Sequence, residues 1–173
     1  KNSVIDLNLD IDKVISSNHF IPDLQYHANL KNCGLGFEDV RIIQFQNEYI
    51  LCGNHSYKNL FVPWVSHLKQ LNTINNIIWK PCQLHGIKQR SFEKNWTLFV
   101  SADNKLECIY EWFPLKICSV DYTNGNVQLK YINKNIPKNL CQIRGSAPGI
   151  WIDNKLWFIV HEAQKYKKEN RPE

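Results

Sequence analysis

The chain has 173 residues, of which 43% are hydrophobic and 21% are charged, and this balance is typical of a globular fold rather than a disordered chain. No apolar run reaches the roughly 18 residues that a transmembrane helix needs, so such a helix is excluded and we expect no membrane span. The net charge of +5 comes mostly from lysines scattered along the chain. Nucleic-acid-binding proteins concentrate basic residues on one face and favour arginine, so we expect no nucleic-acid partner.

The amino-terminal segment alternates acidic and apolar side chains over residues 1–20, which is the pattern of neither a signal peptide nor a transit peptide. Methionine is absent from the whole chain. A chain that starts at its own initiation codon begins with methionine, so we expect that Lys1 is not the translation start and that the chain was trimmed or cut from a longer one.

The six cysteines include no Cys-x-x-Cys pair, so their spacing predicts neither a zinc site nor a thioredoxin-type site, and we expect no metal. Several of them lie inside apolar runs, as Cys52 and Cys118 do. This placement favours buried thiols in a reducing compartment, and therefore a cytoplasmic location, over disulfides. The sequence alone leaves their redox state open.

Three pairs of β-rich segments, each joined by a short polar turn, predict three hairpins. β-branched and aromatic residues fill the segments, and Asn, Asp and Lys fill the turns. In chain order the pairs are residues 40–45 with 49–53, 96–100 with 106–110, and 149–152 with 156–160. Only short, ambiguous pieces such as residues 64–71 have a helical period, so we predict an all-β fold.

A polar, charged motif introduces each hairpin, at residues 38, 93 and 144, which is a repeat of roughly 50 to 55 residues. Repeats of this length are typical of β-propeller blades, in which four antiparallel strands radiate from a central channel. The 173 residues would make only about three and a third blades, whereas closed propellers need about four to eight. We therefore predict a single propeller-like domain or a fragment of one over residues 1–173, completed by missing residues or by a second chain. A β-sandwich is the alternative.

The first motif, Glu38-Asp39-Val40-Arg41-Ile42, resembles the Glu-Asp-Pro-Arg-Ile signature of five-bladed β-propellers in the inverting glycoside hydrolase and mannoside phosphorylase families. Valine stands here where those families usually have proline, so the rigid φ that proline imposes is lost.

The other two motifs resemble elements of the same superfamily, in propellers often found beside glycosyltransferase domains. Glu93-Lys94-Asn95-Trp96 is similar to a Glu-Lys-Asn-Trp block, and Arg144-Gly145-Ser146 with Val160-His161-Glu162 is similar to Arg-Gly-Gly/Ser and Val-His-Glu elements. The resemblance covers roughly residues 25–163.

The resemblance implies an activity on glycosides in which Asp39 is the general acid and Arg41 binds or orients the substrate. It implies no cofactor, although inorganic phosphate would be a co-substrate in the phosphorylase relatives. The expected partner is an oligosaccharide or glycoconjugate.

The residue types at the three motifs are those that glycoside cleavage requires. Glycoside cleavage needs one carboxylic acid to protonate the leaving oxygen, and an inverting enzyme also needs a base for water or a bound phosphate as the nucleophile. Three carboxylates lie at blade motifs and are the catalytic candidates, namely Asp39, Glu93 and Glu162. Cationic side chains at the motifs would bind an anion, and an aromatic side chain would stack on a sugar. The predicted substrate-binding residues are Glu38, Arg41, Lys94, Asn95, Trp96, Arg144 and His161.

Two other functions remain alternatives at this point. The chain could be a glycan-binding or scaffolding propeller without catalysis, associated with a glycosyltransferase. It could instead be a structural or assembly β-domain in which the motifs are coincidental. The sequence names neither the sugar nor its anomeric configuration, and it does not distinguish hydrolysis from phosphorolysis.

Overall fold

The computed structural model describes residues 2–7, 14–20, 37–57, 60–68 and 78–162. These residues form an all-β structure, as the sequence predicted, with one short 3-10 helix at Lys138–Gln142. Within the described ranges the strands are β1 (Asn2–Leu7), β2 (Val14–Phe20), β3 (Glu38–Phe45), β4 (Glu48–Tyr57), β5 (Leu60–Leu68), β6 (Lys80–Pro81), β7 (Gln83–His85), β8 (Thr97–Val100), β9 (Leu106–Trp112), β10 (Leu115–Asp121), β11 (Asn126–Asn133), β12 (Ile143–Gly145), β13 (Ile150–Ile152), β14 (Lys155–Trp157) and β15 (Val160–Glu162). No helix among the described residues has the length and apolarity needed to cross a membrane.

All three predicted hairpins are present as antiparallel pairs, namely β3 with β4, β8 with β9 and β13 with β14. The third is shorter than predicted, because β14 ends at Trp157 and Val160 belongs to β15, which pairs with β12. Their turns use polar residues in the left-handed region, where Asn and Asp are tolerated better than other side chains. Asn104 has φ 56° in the second hairpin, and Asp153 and Asn154 have φ 50° and 57° in the third. The ambiguous segment that begins at residue 64 belongs to strand β5 as far as Leu68, and its last residues lie outside the described ranges.

The chain divides into two compact units. The first unit comprises Lys1–Lys94 and Val120–Gln128, and the second comprises Asn95–Ser119 and Leu129–Glu173. Antiparallel hairpins are common to the predicted propeller and to the alternative sandwich, so the choice between these architectures stays a prediction.

The first unit contains a four-stranded sheet of order β3-β4-β5-β6, together with the two-stranded pair of β1 and β2. An aromatic cluster packs on one face of the four-stranded sheet. The ring of Phe37 stacks on Trp79 with centroids 4.1 Å apart and meets Trp64 edge-on at 5.9 Å. Phe37, Trp64 and Trp79 are all buried, and burial of such large rings dominates core energetics.

A five-stranded sheet has the order β7-β11-β10-β9-β8, in which β7 and β11 run parallel. In the second unit the β8–β9–β10 portion carries a buried row of small and medium side chains, in which Leu98 opposes Cys108 and Cys108 opposes Cys118. The buried carboxylate of Glu107 accepts a hydrogen bond from the Lys130 ammonium group, so that its charge is paired.

The residues from 143 to 162 form an arm of the second unit, which we call the C-terminal arm. Strand β12 pairs with β15 at its base, and the hairpin of β13 and β14 forms its tip. Two hydrogen bonds attach the arm to strand β8, from Gly149 N to Leu98 O at 2.8 Å and from Trp151 Nε1 to Val100 O at 2.7 Å. These bonds fix which face of the arm points toward β8.

Candidate functional site

The first motif forms a β-bulge in strand β3. Glu38 pairs with Asn54 and Arg41 pairs with Cys52, so that Asp39 and Val40 together oppose Gly53 alone. Asp39 has φ 51°, which places the first bulge residue in the left-handed region. A bulge of this kind bends the strand and changes the direction of its side chains, and bulges are common beside functional sites.

Gly53 leaves room for the bulge. A Cβ atom at this position would lie 3.0 Å from Val40 Cγ2 and 3.2 Å from Phe37 Cβ, which is closer than ordinary van der Waals contact. With this position open, Val40 packs over Gly53, and Glu38, Asp39 and part of Val40 are exposed to solvent. The bulge therefore presents two adjacent carboxylates at the surface of the first unit.

Arg41 follows the bulge and is half-buried opposite Cys52. Burial raises the pKa of the Cys52 thiol to about 12, and the charge of Arg41 lowers it only partly. Cys52 thus stays a neutral thiol at physiological pH. Arg41 therefore does not activate this thiol.

The second motif contains a buried carboxylate. Glu93 is 3% exposed, its Oε1 accepts a hydrogen bond of 2.7 Å from Arg90 N, and its own N donates to Phe61 O at 2.7 Å. These bonds hold the loop before strand β8 against strand β5, which is a structural use of the carboxylate. The neighbouring Lys94 is exposed.

The second half of this motif begins the second unit. Asn95 has φ 62°, so the chain turns through the left-handed region before β8 starts. Trp96 is 4% exposed and packs edge-on to Tyr110 with ring centroids 5.4 Å apart. Its ring belongs to the core of the unit, whereas stacking on a sugar needs an exposed face.

The second and third motifs meet inside the second unit. A Cβ atom at Gly145 would lie 1.6 Å from Thr97 Oγ1 and 3.1 Å from Asn95 O, so no side chain fits at this position. Gly145 thereby packs the base of the C-terminal arm directly on the start of β8. Because side chains alternate across a strand, the neighbours of Gly145 point away from Thr97.

The residues on that outer face form a polar group, which we call the Arg144 cluster and which consists of Arg144, Ser146 and His161. Arg144 and His161 are directly opposite each other in β12 and β15, and Ser146 Oγ is hydrogen-bonded to His161 Nδ1 at 2.8 Å. Arg144 Nη1 donates to Ile143 O at 2.8 Å and to Cys141 O at 3.3 Å, which orients its guanidinium group. Arg144 and His161 are exposed at the arm's base, and Ser146 is half-buried.

The predicted site residues are thus divided between the two units. Glu38, Asp39, Arg41, Glu93 and Lys94 lie in the first unit, and Asn95, Trp96, Arg144, His161 and Glu162 lie in the second. Glu162 is exposed and pairs with Ile143. A channel shared by all the motifs stays a prediction.

Ser146 was not among the predicted site residues, although it follows Arg144-Gly145 in the third motif. Its position in that motif was the sequence feature that could have identified it as a site residue. Its hydrogen bond to His161 depends on the pairing of β12 with β15. Within the part of the chain that the structure describes, no group of three or more His, Cys, Asp or Glu side chains is arranged to hold a metal ion.

Comparison with known proteins gives no family to which this arrangement can be assigned, because no family model, no curated protein and no solved structure matches the chain.

Proposed function

We propose that this chain is a carbohydrate-active β-domain that acts on glycosides, with Asp39 as the general acid. The observation that carries the proposal is the bulge in β3, which holds Asp39 in the left-handed region and leaves Asp39 exposed next to Glu38 in the chain. An exposed carboxyl group can reach a glycosidic oxygen, and a protonated one can donate its proton to the leaving sugar.

The proposed architecture is a β-propeller of glycoside hydrolase or phosphorylase type, of which this chain supplies part. Its support is the position of the antiparallel hairpins, one of which begins at or just after each of the three motifs. Other residues of a longer protein, or a second chain, would supply the remaining blades.

The Arg144 cluster has the chemistry of an anion site. A guanidinium group, an imidazole and a hydroxyl group on one face suit a phosphate or a charged sugar substituent. A phosphate bound in this way would be the attacking group of a phosphorolytic reaction. In a hydrolytic reaction water takes the place of phosphate, and a second carboxylate would accept its proton.

The test is the turnover of an oligosaccharide panel by the Asp39→Asn variant, with and without inorganic phosphate, followed as released reducing sugar or sugar phosphate. We expect a loss of about 100-fold or more, because general acid catalysis contributes at least that much. Asp153→Asn is the matched control, since Asp153 is also exposed and has φ 50° against 51° for Asp39. Turnover by Asp39→Asn at the level of the control variant would refute the assignment.

A second candidate is a glycan-binding domain without catalysis. The observation that favours it is the exposed Arg144 cluster, whose side chains can hold a polar ligand without a catalytic partner. We expect Arg144→Ala to weaken oligosaccharide binding by roughly 10-fold or more, because a hydrogen bond to a charged group contributes about 1.5–3 kcal/mol. Calorimetric titration would measure this, and binding without turnover by the unmodified protein would favour this candidate over the enzyme. If neither binding nor turnover occurs at millimolar sugar, the structural β-domain becomes the better interpretation.

A further inference from the structure

We propose that Cys108 and Cys118 are a modification site, a thiol pair that a hydroperoxide oxidises to a cross-strand disulfide. The two residues are directly opposite each other in the antiparallel pair of β9 and β10, and both are fully buried thiols in the structure. Directly opposed residues in such a pair have Cα atoms about 4.5–5.5 Å apart. This separation lies inside the range of about 4.4–6.8 Å that disulfides adopt.

The side chains also point the same way. Opposed residues of neighbouring strands project from the same face of a sheet, and their Cβ atoms are about 4.5–5.5 Å apart. The lower end of this range meets the upper end of the Cβ separation of roughly 3.5–4.5 Å that disulfides adopt. Leu98 on the other side of Cys108 completes a buried apolar row. A disulfide between the two cysteines would replace two thiol groups in this row with a bond of similar volume.

The other pair of neighbouring thiols provides a contrast within the same molecule. Cys52 lies in β4 and Cys82 directly follows β6, with strand β5 between them. Two strand spacings amount to about 9.5 Å, which exceeds the Cα separation of a disulfide. Burial raises the pKa of both thiols, and the proximity of Cys52 raises that of Cys82 further. The separation of their strands is what distinguishes this pair from Cys108 and Cys118.

In this proposal a small oxidant reaches the pair through local opening of the sheet. The register of β9 and β10 shifts between Lys116 and Ile117, so the ladder is interrupted next to Cys118. Local opening at such an irregularity requires less free energy than unfolding of the sheet. A hydroperoxide is small enough to enter through such an opening, whereas a protein disulfide would need an exposed thiol.

The chemistry balances with the peroxide as the two-electron oxidant. The sulfur of one cysteine, as its thiolate, attacks a peroxide oxygen, and the O–O bond breaks to give a sulfenic acid and, after protonation, water. The sulfur of the second cysteine then attacks the sulfenic sulfur, the S–O bond breaks, and the hydroxyl leaves as water with the second thiol proton. In total two thiols and one hydrogen peroxide give one disulfide and two water molecules.

The experiment treats the full chain with a small excess of hydrogen peroxide under native conditions, in a Cys141→Ser background that removes the one exposed thiol among the cysteines that the structure describes. After quenching, the protein is denatured, alkylated and mapped by mass spectrometry. We expect Cys108 and Cys118 in one cross-linked peptide pair that a reductant separates, and Cys52 and Cys82 as alkylated thiols. Recovery of Cys108 and Cys118 as alkylated thiols, or their cross-linking to any other cysteine, would overturn the proposal.

The Cys118→Ala variant adds a second readout. Without its partner, a sulfenic acid at Cys108 cannot form the disulfide, so we expect it to proceed to sulfinic acid at the same peroxide dose. If Cys108 in this variant and Cys118 in the reciprocal Cys108→Ala variant both remain thiols, peroxide does not reach the site and the proposal fails. The mapping of the parent protein decides the question even where this variant folds poorly, and neither result depends on the proposed carbohydrate activity.

Discussion

The first motif in the first unit and the third motif in the second unit both expose charged side chains by means of a glycine, but the glycine has a different place in each. In the first unit Gly53 lies on the partner strand, and the space above it receives Val40 of the bulge. In the second unit Gly145 belongs to the motif itself, and the side chain of Thr97 from another strand occupies the space where a Cβ atom of residue 145 would lie. The first arrangement changes the backbone path, whereas the second keeps a regular ladder.

This difference has a consequence for how firmly each group is positioned. Asp39 depends on a left-handed backbone angle that a non-glycine residue adopts at some energetic expense. Arg144 and His161 depend on regular strand alternation and on a close contact of main chain with Thr97. We therefore expect the Arg144 cluster to be held more rigidly than the carboxylates of the bulge, and to be more sensitive to a change in its glycine.

The largest expected effect is that of Gly145→Ala. The new methyl group would overlap Thr97 Oγ1 at 1.6 Å and approach Thr97 Cβ at 3.0 Å, so the arm must move away from β8. We expect a loss of about 3 kcal/mol or more in the free energy of unfolding, measured by chemical denaturation. Adding Thr97→Ala should recover part of it, because that change removes the overlapping hydroxyl group. Additive losses in the double variant would contradict the packing argument.

A smaller effect is expected for Gly53→Ala. Here the nearest atom is Val40 Cγ2 at 3.0 Å, a side-chain atom that can move, and the backbone angle of Gly53 is not left-handed. We expect a loss of about 1 kcal/mol in unfolding free energy, reduced when Val40→Ala is combined with it. A loss as large as that of Gly145→Ala would show that the two glycines do not differ in the way described.

The smallest effect concerns two turn carboxylates, one in each unit. Hydrogen bonds from Thr123, followed by those from Asn124, lower the pKa of Asp121 in the first unit against the opposing effect of burial. Hydrogen bonds from Lys105 and Ser101 lower the pKa of Asp103 in the second unit to about 2. Because folding depresses both pKa values, each carboxylate stabilises the fold above its unfolded pKa of about 3.9, and that contribution is lost as the pH falls through the folded value.

The measurement for this pair is the unfolding free energy of Asp121→Asn and Asp103→Asn against the parent protein from pH 6 to pH 2. We expect each difference from the parent to be largest at about pH 5 and above and to shrink toward pH 2. A difference that does not change with pH would mean that the charge of the carboxylate has no part in it.

Much of the fold could be predicted from local sequence. β-branched and aromatic runs around polar turns located all three hairpins, and the turn residues that take positive φ, such as Asn104 and Asp153, are of the types that do so most readily. The candidate site was predicted less well from local sequence. Glu93 and Trp96 were predicted to face a ligand, and the structure places both among buried side chains.

The sequence by itself determined the all-β class, the hairpins and the chemical types available at each motif, since strand and turn preferences act over a few neighbouring residues. The tertiary structure decided the rest, because strand pairing joins residues far apart in the chain. The bulge at Asp39 depends on Gly53, the bond of Ser146 to His161 depends on the pairing of β12 with β15, and the opposition of Cys108 to Cys118 depends on a shifted register. A displacement by one residue in any of these ladders would turn the same side chains to the opposite face.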